Sequence, residues 1–409
     1  MQDKTLSFIM REFKRYYSAE KIEPPDRLSR REFGFMFFDR NFVLRHIGFS
    51  TRHELKEYIV ANVPAHLYYS SAYYENPNAQ TMPDKKWMGA DLVFDLDADH
   101  VRGAQGLSYP EMLQKVKHEV VRLLDEFILG DFGFDGEHVK IVFSGGRGYH
   151  VHVNDPRVLR LGSHERREIV DYITGTDLDF DWVFPPKGFD ARSFAERTHV
   201  IHKTLMPETG SGGWKGKMSK GIRHFITELE VMGEDEAARK FGGLKAGTPP
   251  KAIGEKTIRE MHRELFLRKG NGMRGADRMI RENNFEVFSK QTYLTAFLRL
   301  VENQVKIALI GETDEPVTSD IRRLIRMPSS LHGKTGLRVT SLTRDALTDF
   351  DPLRDAFPET LSEKAIRINL KEGFQMRLRD EQFKLDEGEN EVPEFAALFL
   401  CCRKSADIV

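Results

Sequence analysis

The sequence predicts an α/β (α+β) protein whose sheet-containing module is interrupted by a mostly helical insertion. Three observations predict this class. Short apolar runs alternate with helical spacing over residues 1–160, charged helical patterns dominate residues 161–295, and strand-like and loop patterns return over residues 296–375. An apolar strand needs another layer to cover it, so this alternation favours a sheet with helices packed on it. Residues 376–409 are predicted to form an acidic linker and a C-terminal helix.

The length and composition indicate a globular protein with more than one packing unit. The chain has 409 residues, whereas an ordinary domain has ~100–200. Its 40% apolar and 31% charged residues, with a formal net charge of −1, exclude a disordered chain and a uniformly basic nucleic-acid coat. Any affinity for a polyanion must therefore come from local clusters of positive charge.

The cysteines and the apolar runs predict a cytoplasmic protein. Cys401 and Cys402 are the two cysteines, and an adjacent pair supplies neither a disulfide framework nor a four-cysteine zinc site. We interpret them as packing thiols. No run reaches the ~18–20 apolar residues of a membrane span, and the N-terminal segment has no uninterrupted apolar core. Neither secretion nor a membrane segment is expected.

The first elements are predicted to be a helix and a hairpin. Apolar residues recur at helical spacing from Phe8 to Tyr17, and the helix is expected to end before Pro24 and Pro25. Residues 31–49 are rich in aromatic and branched side chains on both sides of a polar turn at 39–41. This pattern predicts two short strands that pair as a hairpin.

The next part of the module is predicted to run strand, helix, strand, strand. The helix covers Leu113 to Phe127, with a capping box formed by Ser108 and Glu111 and a stop at Gly130. The strands are predicted at 92–94, 139–143 and 149–153.

Loops and a linker are predicted in the rest of the chain. Glycine, proline and lysine interrupt the helical patterns of the insertion at 185–186, 210–216 and 242–250. Residues 380–394 contain seven carboxylates against Lys384. We interpret this stretch as a solvated linker that precedes an apolar helix from Phe395 to Cys402.

The first candidate site is the pair Asp95 and Asp97 in an apolar run. Residues two apart in a strand point to the same side, so the two carboxylates project together while Phe94 and Leu96 enter the core. Carboxylates ~7 Å apart repel each other unless a cation lies near them, and hard divalent ions prefer oxygen ligands. The pattern predicts a metal site, with a surface turn or a Ca²⁺ loop that includes Asp99 as the alternative.

The second candidate site is a glycine-rich turn between two strands. Missing Cβ atoms let backbone N–H groups approach a ligand, and Ser144, Arg147 and His150 are predicted to converge there on an anion such as phosphate. The spacing is neither that of a P-loop nor that of a dinucleotide fingerprint. A hairpin with incidental polar groups is the alternative. Zinc at His150 and His152 is disfavoured because a third ligand is missing.

The third candidate site is the basic stretch from Ile321 to Arg344. It contains six Lys and Arg residues and no Asp or Glu, which concentrates positive charge in a nearly neutral protein. Pro328, Gly333 and Gly336 favour an ordered loop over an exposed helix. The stretch predicts a site for polyphosphate or a nucleic-acid backbone, with a solvated basic face as the alternative.

Taken in order, these motifs resemble those of the catalytic small subunit of archaeal and eukaryotic DNA primases. That family has an apolar Asp-x-Asp strand, a Ser-Gly-x-Arg-Gly-x-His turn, and a later Asp before a basic loop that ends in His-x-Lys-Thr-Gly. The corresponding residues here are Asp95, Asp97, Ser144, Arg147, His150, Asp314, Val317, Thr318, Arg326, Pro328, Ser330, His332, Lys334, Thr335 and Gly336. Arg31-Glu32-Phe33 is similar to a further family element, so the resemblance extends from about residue 30 to about residue 340.

The resemblance implies a primase-type catalytic module with an RRM-like mixed sheet. It implies that Asp95, Asp97 and Asp314 hold two Mg²⁺ or Mn²⁺ ions for nucleotidyl transfer. Guanidinium and imidazolium groups neutralise charge on phosphate oxygens. The residues expected to bind the phosphates of the incoming nucleotide are Ser144, Arg147, His150, Arg326, His332 and Arg31, with Lys334 and Arg338 as weaker candidates.

The resemblance also implies a function in DNA replication. The expected activity is synthesis of short RNA primers, with DNA as a further product left open, on single-stranded DNA template from nucleoside triphosphates. The expected partner is a primase large subunit in a heterodimer, and the expected location is the cytoplasm or the nucleoid. The alternatives are a stand-alone primase-polymerase, a gap-filling repair polymerase of the same superfamily and a non-catalytic nucleic-acid-binding protein.

The sequence departs from many relatives in one respect. These relatives carry a zinc knuckle of Cys and His between the first two motifs. Residues 98–143 contain no cysteine, and their histidines are His100, His118 and His138. No structural zinc is therefore predicted.

Overall fold

The chain divides into two compact units. The computed structural model describes residues 3–19, 22–184, 186–194, 197–246, 251–268, 272–306 and 311–409. The first unit consists of Met1–Asp171 together with Glu312–Val409, and the second unit is Tyr172–Gly311. The second unit therefore interrupts the first, and its boundaries differ from the predicted 161–295.

The N-terminal part of the first unit alternates helices and strands. Its helices are α1 (Asp3–Ala19), α2 (Arg52–Asn62), α3 (Met82–Lys85), α4 (Tyr109–Arg122) and α5 (Ser163–Thr174). Its strands are β1 (Phe33–Met36), β2 (Leu44–Ile47), β3 (His66–Ser70), β4 (Ala72–Tyr74), β5 (Trp87–Ala90), β6 (Leu92–Asp97), β7 (Val139–Phe143) and β8 (Gly148–Val153). Helix α1 confirms the predicted N-terminal helix. Strands β1 and β2 pair antiparallel across the predicted turn, which confirms the hairpin.

Helix α4 begins where its sequence predicts. The backbone N–H of Ser108 donates to the Glu111 carboxylate at 3.0 Å, and the capping box is complete. The helix then continues as a π-helical segment, Leu123–Asp131, so it passes the predicted stop at Gly130 by one residue.

The second unit is built mainly of helices and also contains a long hairpin. Its elements are α6 (Phe180–Val183), β9 (Pro186–Phe194), β10 (Arg197–Thr204), α7 (Gly213–Phe241), β11 (Lys245–Ala246), β12 (Lys251–Ala252), α8 (Glu255–Phe266), α9 (Gly275–Glu282) and α10 (Gln291–Leu300), which continues as a π-helical segment at Val301–Val305. Helix α7 begins at Gly213, so the prediction of a loop at 210–216 is wrong for residues 213–216. The predicted loops at 185–186 and 242–250 lie partly outside the described residues.

Packing explains why the insertion boundaries differ from the prediction. The guanidinium of Arg166, in α5, donates to the carbonyl oxygens of Ala90 and Asp91, which ties residues after 161 to the first unit. Near the other boundary, α10 runs without a break through residue 295. Amphipathic helices show the same spacing of apolar residues in both units, so the sequence pattern could not locate the boundaries between the units.

The C-terminal part of the first unit is richer in strands than predicted. Its elements are α11 (Glu315–Ser319), β13 (Leu324–Arg326), β14 (Thr340–Leu342), α12 (Arg344–Asp349), α13 (Pro352–Asp355), β15 (Ala365–Leu370), β16 (Phe374–Leu378), β17 (Glu381–Leu385), β18 (Gly388–Pro393), α14 (Glu394–Cys402) and β19 (Ala406–Ile408). Helix α14 confirms the predicted apolar helix.

The interpretation of residues 380–394 as a solvated linker is wrong, because β17 and β18 occupy them. In these strands Phe383 and Val392 are buried, while Glu389 and Glu391 are exposed. The carboxylates therefore occupy the solvent side of strands whose other side is packed. Because the stretch has a high net negative charge, we interpreted it by its composition and missed the alternation of buried and exposed residues.

Two four-stranded sheets of the first unit join distant parts of the chain. Their strand orders are β14-β7-β8-β6 and β13-β3-β1-β2. Every strand pair in the described ranges is antiparallel. The α+β class with a helical insertion is confirmed, and the sheets are antiparallel where a mixed sheet was predicted. Across the described parts of the chain, we find no helix with the length and apolar character of a membrane span.

Candidate active site

A cavity of about 780 Å³ in the first unit is lined by residues of both four-stranded sheets. Tyr68 and Arg326 come from one sheet, and Asp95 and His150 come from the other. The other lining residues are Asp97, Tyr109, Ser144, Gly146, Arg147, Val317, Arg323, Leu324, Ile325, His332, Lys334, Thr335, Cys402, Arg403 and Lys404. Seven of the nine predicted site residues therefore lie in one cavity, and the other two, Asp314 and Arg31, are not among its lining residues.

The carboxylates lie on the edge strand β6 and just before α11. Asp95 and Asp97 are partly exposed, while Phe94 and Leu96 are buried, as the alternation of a strand requires. Because β6 is an edge strand, its outer carbonyl groups need partners. The backbone N–H of Asp314 donates to the Asp95 carbonyl oxygen at 2.9 Å. This hydrogen bond places the third carboxylate beside the first two.

The electrostatics of the three carboxylates fit a site for a cation. Burial, together with the negative charges of Asp97 and Asp314, raises the pKa of Asp95 to about 7. A bound divalent cation would offset both effects, and carboxylate oxygens are the donors that Mg²⁺ and Mn²⁺ prefer. Within the described residues, no group of three or more His, Cys, Asp and Glu side chains is already arranged to hold a metal. Metal binding by these three residues stays a prediction.

The glycine turn between β7 and β8 packs tightly against its neighbours. Gly145 has φ +76°, and a Cβ atom there would lie 2.7 Å from the Cβ of His332. The hydroxyl of Thr335 donates to the Gly145 carbonyl oxygen at 2.6 Å, and the Tyr109 hydroxyl donates to that of Gly146 at 2.6 Å. The turn is therefore held from both sides.

Arg147 extends from this turn toward the carboxylates. Its guanidinium donates to both oxygens of Asp99, with Nη1 at 2.9 Å from Oδ1, and lies 3.3 Å from Asp97. The Asp99 carboxylate raises the pKa of Arg147, so this side chain is cationic. Asp99 therefore positions Arg147 beside Asp97 in the wall of the cavity.

His150 lies directly opposite Asp95 in the register of β6 and β8, with Nε2 3.5 Å from the Asp95 carboxylate. Burial lowers the pKa of His150 to about 4, and burial also lowers the pKa of His332 well below its ordinary value. Both imidazoles are thus neutral near pH 7 in the free protein. The resemblance implied imidazolium groups beside bound phosphate, and this stays a prediction, because a ring that is neutral in the free protein takes up a proton when an anion binds next to it.

Arg326 and His332 are held by a residue that the sequence did not single out. The Nδ1 atom of His66 accepts a hydrogen bond from Nη1 of Arg326 at 2.6 Å and another from the Gly333 N–H at 3.2 Å. The His66 ring also packs edge-on against that of His332, with centroids 4.8 Å apart. Burial lowers the pKa of His66 to about 3. A neutral His66 is what these two donors require, since a protonated ring would have no acceptor.

The hydrogen bonds of His332 determine which of its nitrogens carries a proton. The Thr335 hydroxyl donates to Gly145, so it accepts from Nδ1 of His332, 3.2 Å away. The neutral ring therefore has its proton on Nδ1 and a bare Nε2. A phosphate oxygen binds at Nε2 only with uptake of a proton.

Arg31 does not reach the cavity, which corrects its predicted position. Its guanidinium is buried and donates to the Asp91 carboxylate at 2.7 Å and to the Tyr73 hydroxyl at 2.8 Å. Another nitrogen donates to the carbonyl oxygens of Ser70 and Ser71. With these partners the guanidinium is satisfied inside the protein, so Arg31 is part of the supporting structure between β1 and β4.

Sequence reasoning missed five residues of the site: His66, Tyr68, Tyr109, Arg403 and Lys404. His66 and Tyr109 have no motif around them, and their roles come from contacts with residues far along the chain. Arg403 and Lys404 directly follow the apolar helix that the sequence predicted from Phe395 to Cys402. An available signal was the basic pair that directly follows the apolar run of α14.

Comparison with known proteins identifies the family. The profile of the DNA primase small subunit family matches residues 94–344. A DNA primase small subunit of Methanothrix thermoacetophila is 41% identical to this chain and covers 100% of both chains. The small subunit of Methanococcoides burtonii is 39% identical and covers 100% of this chain and 99% of its own length. The small subunit of Picrophilus torridus is 37% identical, with 100% and 98% covered.

The chain belongs to the DNA primase small subunit family. The resemblance stated from three motifs is confirmed, and the match extends over the whole chain. Membership in this family implies a nucleotidyltransferase-type enzyme of DNA replication.

Proposed function

We propose that this chain is the catalytic subunit of a DNA primase that synthesises short RNA primers on single-stranded DNA template, with DNA left open as a further product. Nucleoside triphosphates are the substrates, and a primase large subunit is the partner in a heterodimer. The observation that carries the proposal is one cavity that combines carboxylates on β6 with the basic side chains Arg147, Arg326 and Lys334. A polymerase needs both, because its substrate is a polyanion and its reaction develops further negative charge.

The carboxylates are the proposed metal ligands. Asp95, Asp97 and Asp314 would hold two Mg²⁺ or Mn²⁺ ions. When bound, such ions lower the pKa of a primer 3′-hydroxyl and neutralise the triphosphate and the departing pyrophosphate. Asp99 keeps Arg147 next to this group, so the guanidinium is positioned to contact a phosphate that the carboxylates would repel.

The basic loop provides the proposed triphosphate site. Arg326 is held by His66 and lies over the Tyr68 ring, 5.2 Å from its centroid, so its orientation is fixed before a ligand arrives. Ser144 and His332 lie beside it in the cavity wall. Lys334 forms no ion pair among the described residues, and it is free to bind a phosphate.

The proposal is tested by primer synthesis on single-stranded DNA with labelled nucleoside triphosphates and Mg²⁺ or Mn²⁺. Asp95→Asn and Asp97→Asn should each lower nucleotide incorporation by roughly a hundredfold or more, because one charge-stabilising group at a reacting centre has an effect of this size. Asp39→Asn, at an exposed turn outside the cavity, makes the same charge change and should retain activity. Circular dichroism should show that all three variants are folded.

Parallel reactions with and without a primer distinguish the related functions. Carboxylate-dependent products without a primer support de novo primer synthesis by this chain. Extension of a supplied primer alone indicates a polymerase that needs its large subunit to initiate. Binding of DNA without any synthesis, in the presence of the large subunit, would contradict the proposed catalytic function.

The absence of structural zinc and the location in the cytoplasm or at the nucleoid stay predictions. Metal analysis of the purified chain checks the first of these, since a stoichiometric zinc content would show that a site exists despite the missing cysteines.

A further inference from the structure

The C-terminal turn brings two cations to the wall of the cavity. Helix α14 ends at Cys402, and the next two residues, Arg403 and Lys404, are exposed and line the cavity together with Asp95, Ser144 and Lys334. No motif of the family resemblance includes these residues, which lie more than sixty positions beyond the basic loop.

Aromatic contacts fix the position of Arg403. Its guanidinium lies over the ring of Tyr109, 4.5 Å from the centroid, and over the ring of Phe399, at 5.3 Å. The Tyr109 hydroxyl donates to the carbonyl oxygen of Gly146, next to Arg147 in the glycine turn. Arg403 is therefore connected through one side chain to the turn that carries the predicted phosphate ligands. Stacking leaves the in-plane N–H donors of a guanidinium available to an oxyanion.

The backbone of Lys404 is held in a conformation that favours glycine. Its φ is +64°, and a residue with a Cβ atom is disfavoured there by roughly 1 kcal/mol. The turn is anchored on both sides, because the Lys404 N–H donates to the Cys401 carbonyl oxygen and its own carbonyl oxygen accepts from the ammonium of Lys371. Strand β19 follows at once and pairs with β15. The ammonium of Lys404 is thus presented from a rigid turn.

Neither cation has an anionic partner in the part of the chain that the structure describes. Among the described residues, the side chains of Arg403 and Lys404 form no ion pair and no hydrogen bond, whereas Arg147 is already engaged by Asp99. The turn also packs against the basic loop, since a Cβ atom at Gly336 would lie 3.6 Å from the Sγ of Cys402. Arg403 and Lys404 therefore add two positive charges to the part of the cavity lining that contains Lys334.

We propose that Arg403 and Lys404 bind phosphate groups of the substrate in this cavity. This inference deepens the proposed function and rests on the same cavity. The ligand chemistry is a phosphate oxyanion, supplied either by the triphosphate of the incoming nucleotide or by the backbone of the nucleic-acid strand. Stacked Arg403 provides directed N–H donors, and Lys404 provides a point charge.

The test measures binding rather than turnover, so that it stays informative if the chain does not synthesise primers. The full-length variant Arg403→Gln/Lys404→Gln is compared with Arg377→Gln/Lys384→Gln, which makes the same charge change on the exposed hairpin β16–β17 of the same unit. Titrations with a fluorescent non-hydrolysable nucleoside triphosphate and with a labelled single-stranded oligodeoxynucleotide are followed by anisotropy at several salt concentrations.

We expect the cavity variant to lose roughly tenfold in affinity for each phosphate-binding cation removed, and the hairpin variant to change less than twofold by comparison. A loss confined to the nucleotide assigns the turn to the triphosphate. A loss confined to the oligonucleotide, with a salt slope lowered by about 1 for each cation, assigns it to the strand. Wild-type affinity for both ligands in a variant whose melting temperature is unchanged would overturn the inference.

Discussion

Single buried side chains determine how the basic residues of the cavity are oriented. His66 is the clearest case, since one neutral nitrogen accepts from both Arg326 and the Gly333 N–H. The predicted phosphate ligands thus depend on a histidine whose charge is suppressed by burial. Arg31 is the opposite case. It was expected to bind the phosphates of the nucleotide, but its guanidinium is instead buried and hydrogen-bonded to Asp91 and neighbouring groups.

Replacement of His66 tests this positioning role. His66→Asn places an amide oxygen near the position of Nδ1 and should retain nucleotide KM within a fewfold of wild type. His66→Leu leaves two buried donors without an acceptor, and the free energy of unfolding should fall by about 2–4 kcal/mol with a clear rise in nucleotide KM. The measurements are urea denaturation and steady-state kinetics. Equal behaviour of the two variants would show that the ring, and not its acceptor, matters.

The same histidine predicts a pH dependence of stability. Its pKa is about 3 in the folded protein, below the ordinary value near 6.5, so the unfolded chain binds the extra proton between these values. The stability that neutral His66 contributes is therefore present above pH 6.5 and is lost as the pH falls. Between pH 7 and pH 5 the unfolding free energy of wild type should drop more steeply than that of His66→Leu. Parallel pH curves for the two proteins would contradict this assignment.

At the scale of elements, the site depends on the close approach of β6 and β8. Gly148 of β8 lies opposite Asp97 of β6. A Cβ atom on Gly148 would clash with the Leu96 carbonyl oxygen and lie 2.9 Å from the Asp97 Cα. Both neighbours are backbone, so a side chain cannot be accommodated by rotation. The strand that carries the two predicted metal ligands would have to move.

Gly148→Ala should accordingly destabilise the protein by about 1–3 kcal/mol and reduce nucleotide incorporation further than the stability loss explains. Gly136→Ala is the matched control, because its Cβ would meet no atom within 4 Å and its φ is not positive. Thermal denaturation and primer synthesis at a temperature where both variants are folded check the prediction. An active, stable Gly148→Ala protein would show that the strand spacing is not critical.

At the scale of the whole molecule, the two ends of the chain pack together in the first unit. Arg15 of α1 donates to both carboxylate oxygens of Glu394 in α14, at 3.1 and 2.6 Å. Glu394 is buried and also accepts from the Ser362 N–H, whereas Arg15 is partly exposed and has a second carboxylate in Glu12. Removing the charge of Arg15 and removing the charge of Glu394 should therefore change the free energy of unfolding by different amounts.

Arg15→Gln should cost more stability than Glu394→Gln. The first leaves the buried Glu394 carboxylate without its cation, which costs about 2–3 kcal/mol after allowance for the exposed side of the pair. The second leaves a solvated arginine beside Glu12, and glutamine still accepts from Ser362. The double variant should resemble Glu394→Gln alone. Unfolding free energies of the three proteins check this order, and a reversed order would refute the argument from burial.

The sequence by itself determined the local elements, the motifs and the family. Helix α1, the hairpin of β1 and β2, helix α14 and the alternation in β6 were predicted because periods of 3.6 and 2 residues are set by near neighbours in the chain. The candidate carboxylates, the glycine turn and the basic loop were identified from the order of their motifs, because each motif is a short stretch of neighbouring residues.

Only the tertiary structure decided which side chains meet and which are charged. His66 and Arg326 are 260 positions apart, and Arg403 reaches the cavity through Tyr109, nearly 300 positions earlier. Neutral His150 and His332, the buried network of Arg31 and the strands hidden in an acidic stretch likewise follow from packing. Burial and long-range contact depend on how all the elements pack, and no local pattern contains that information.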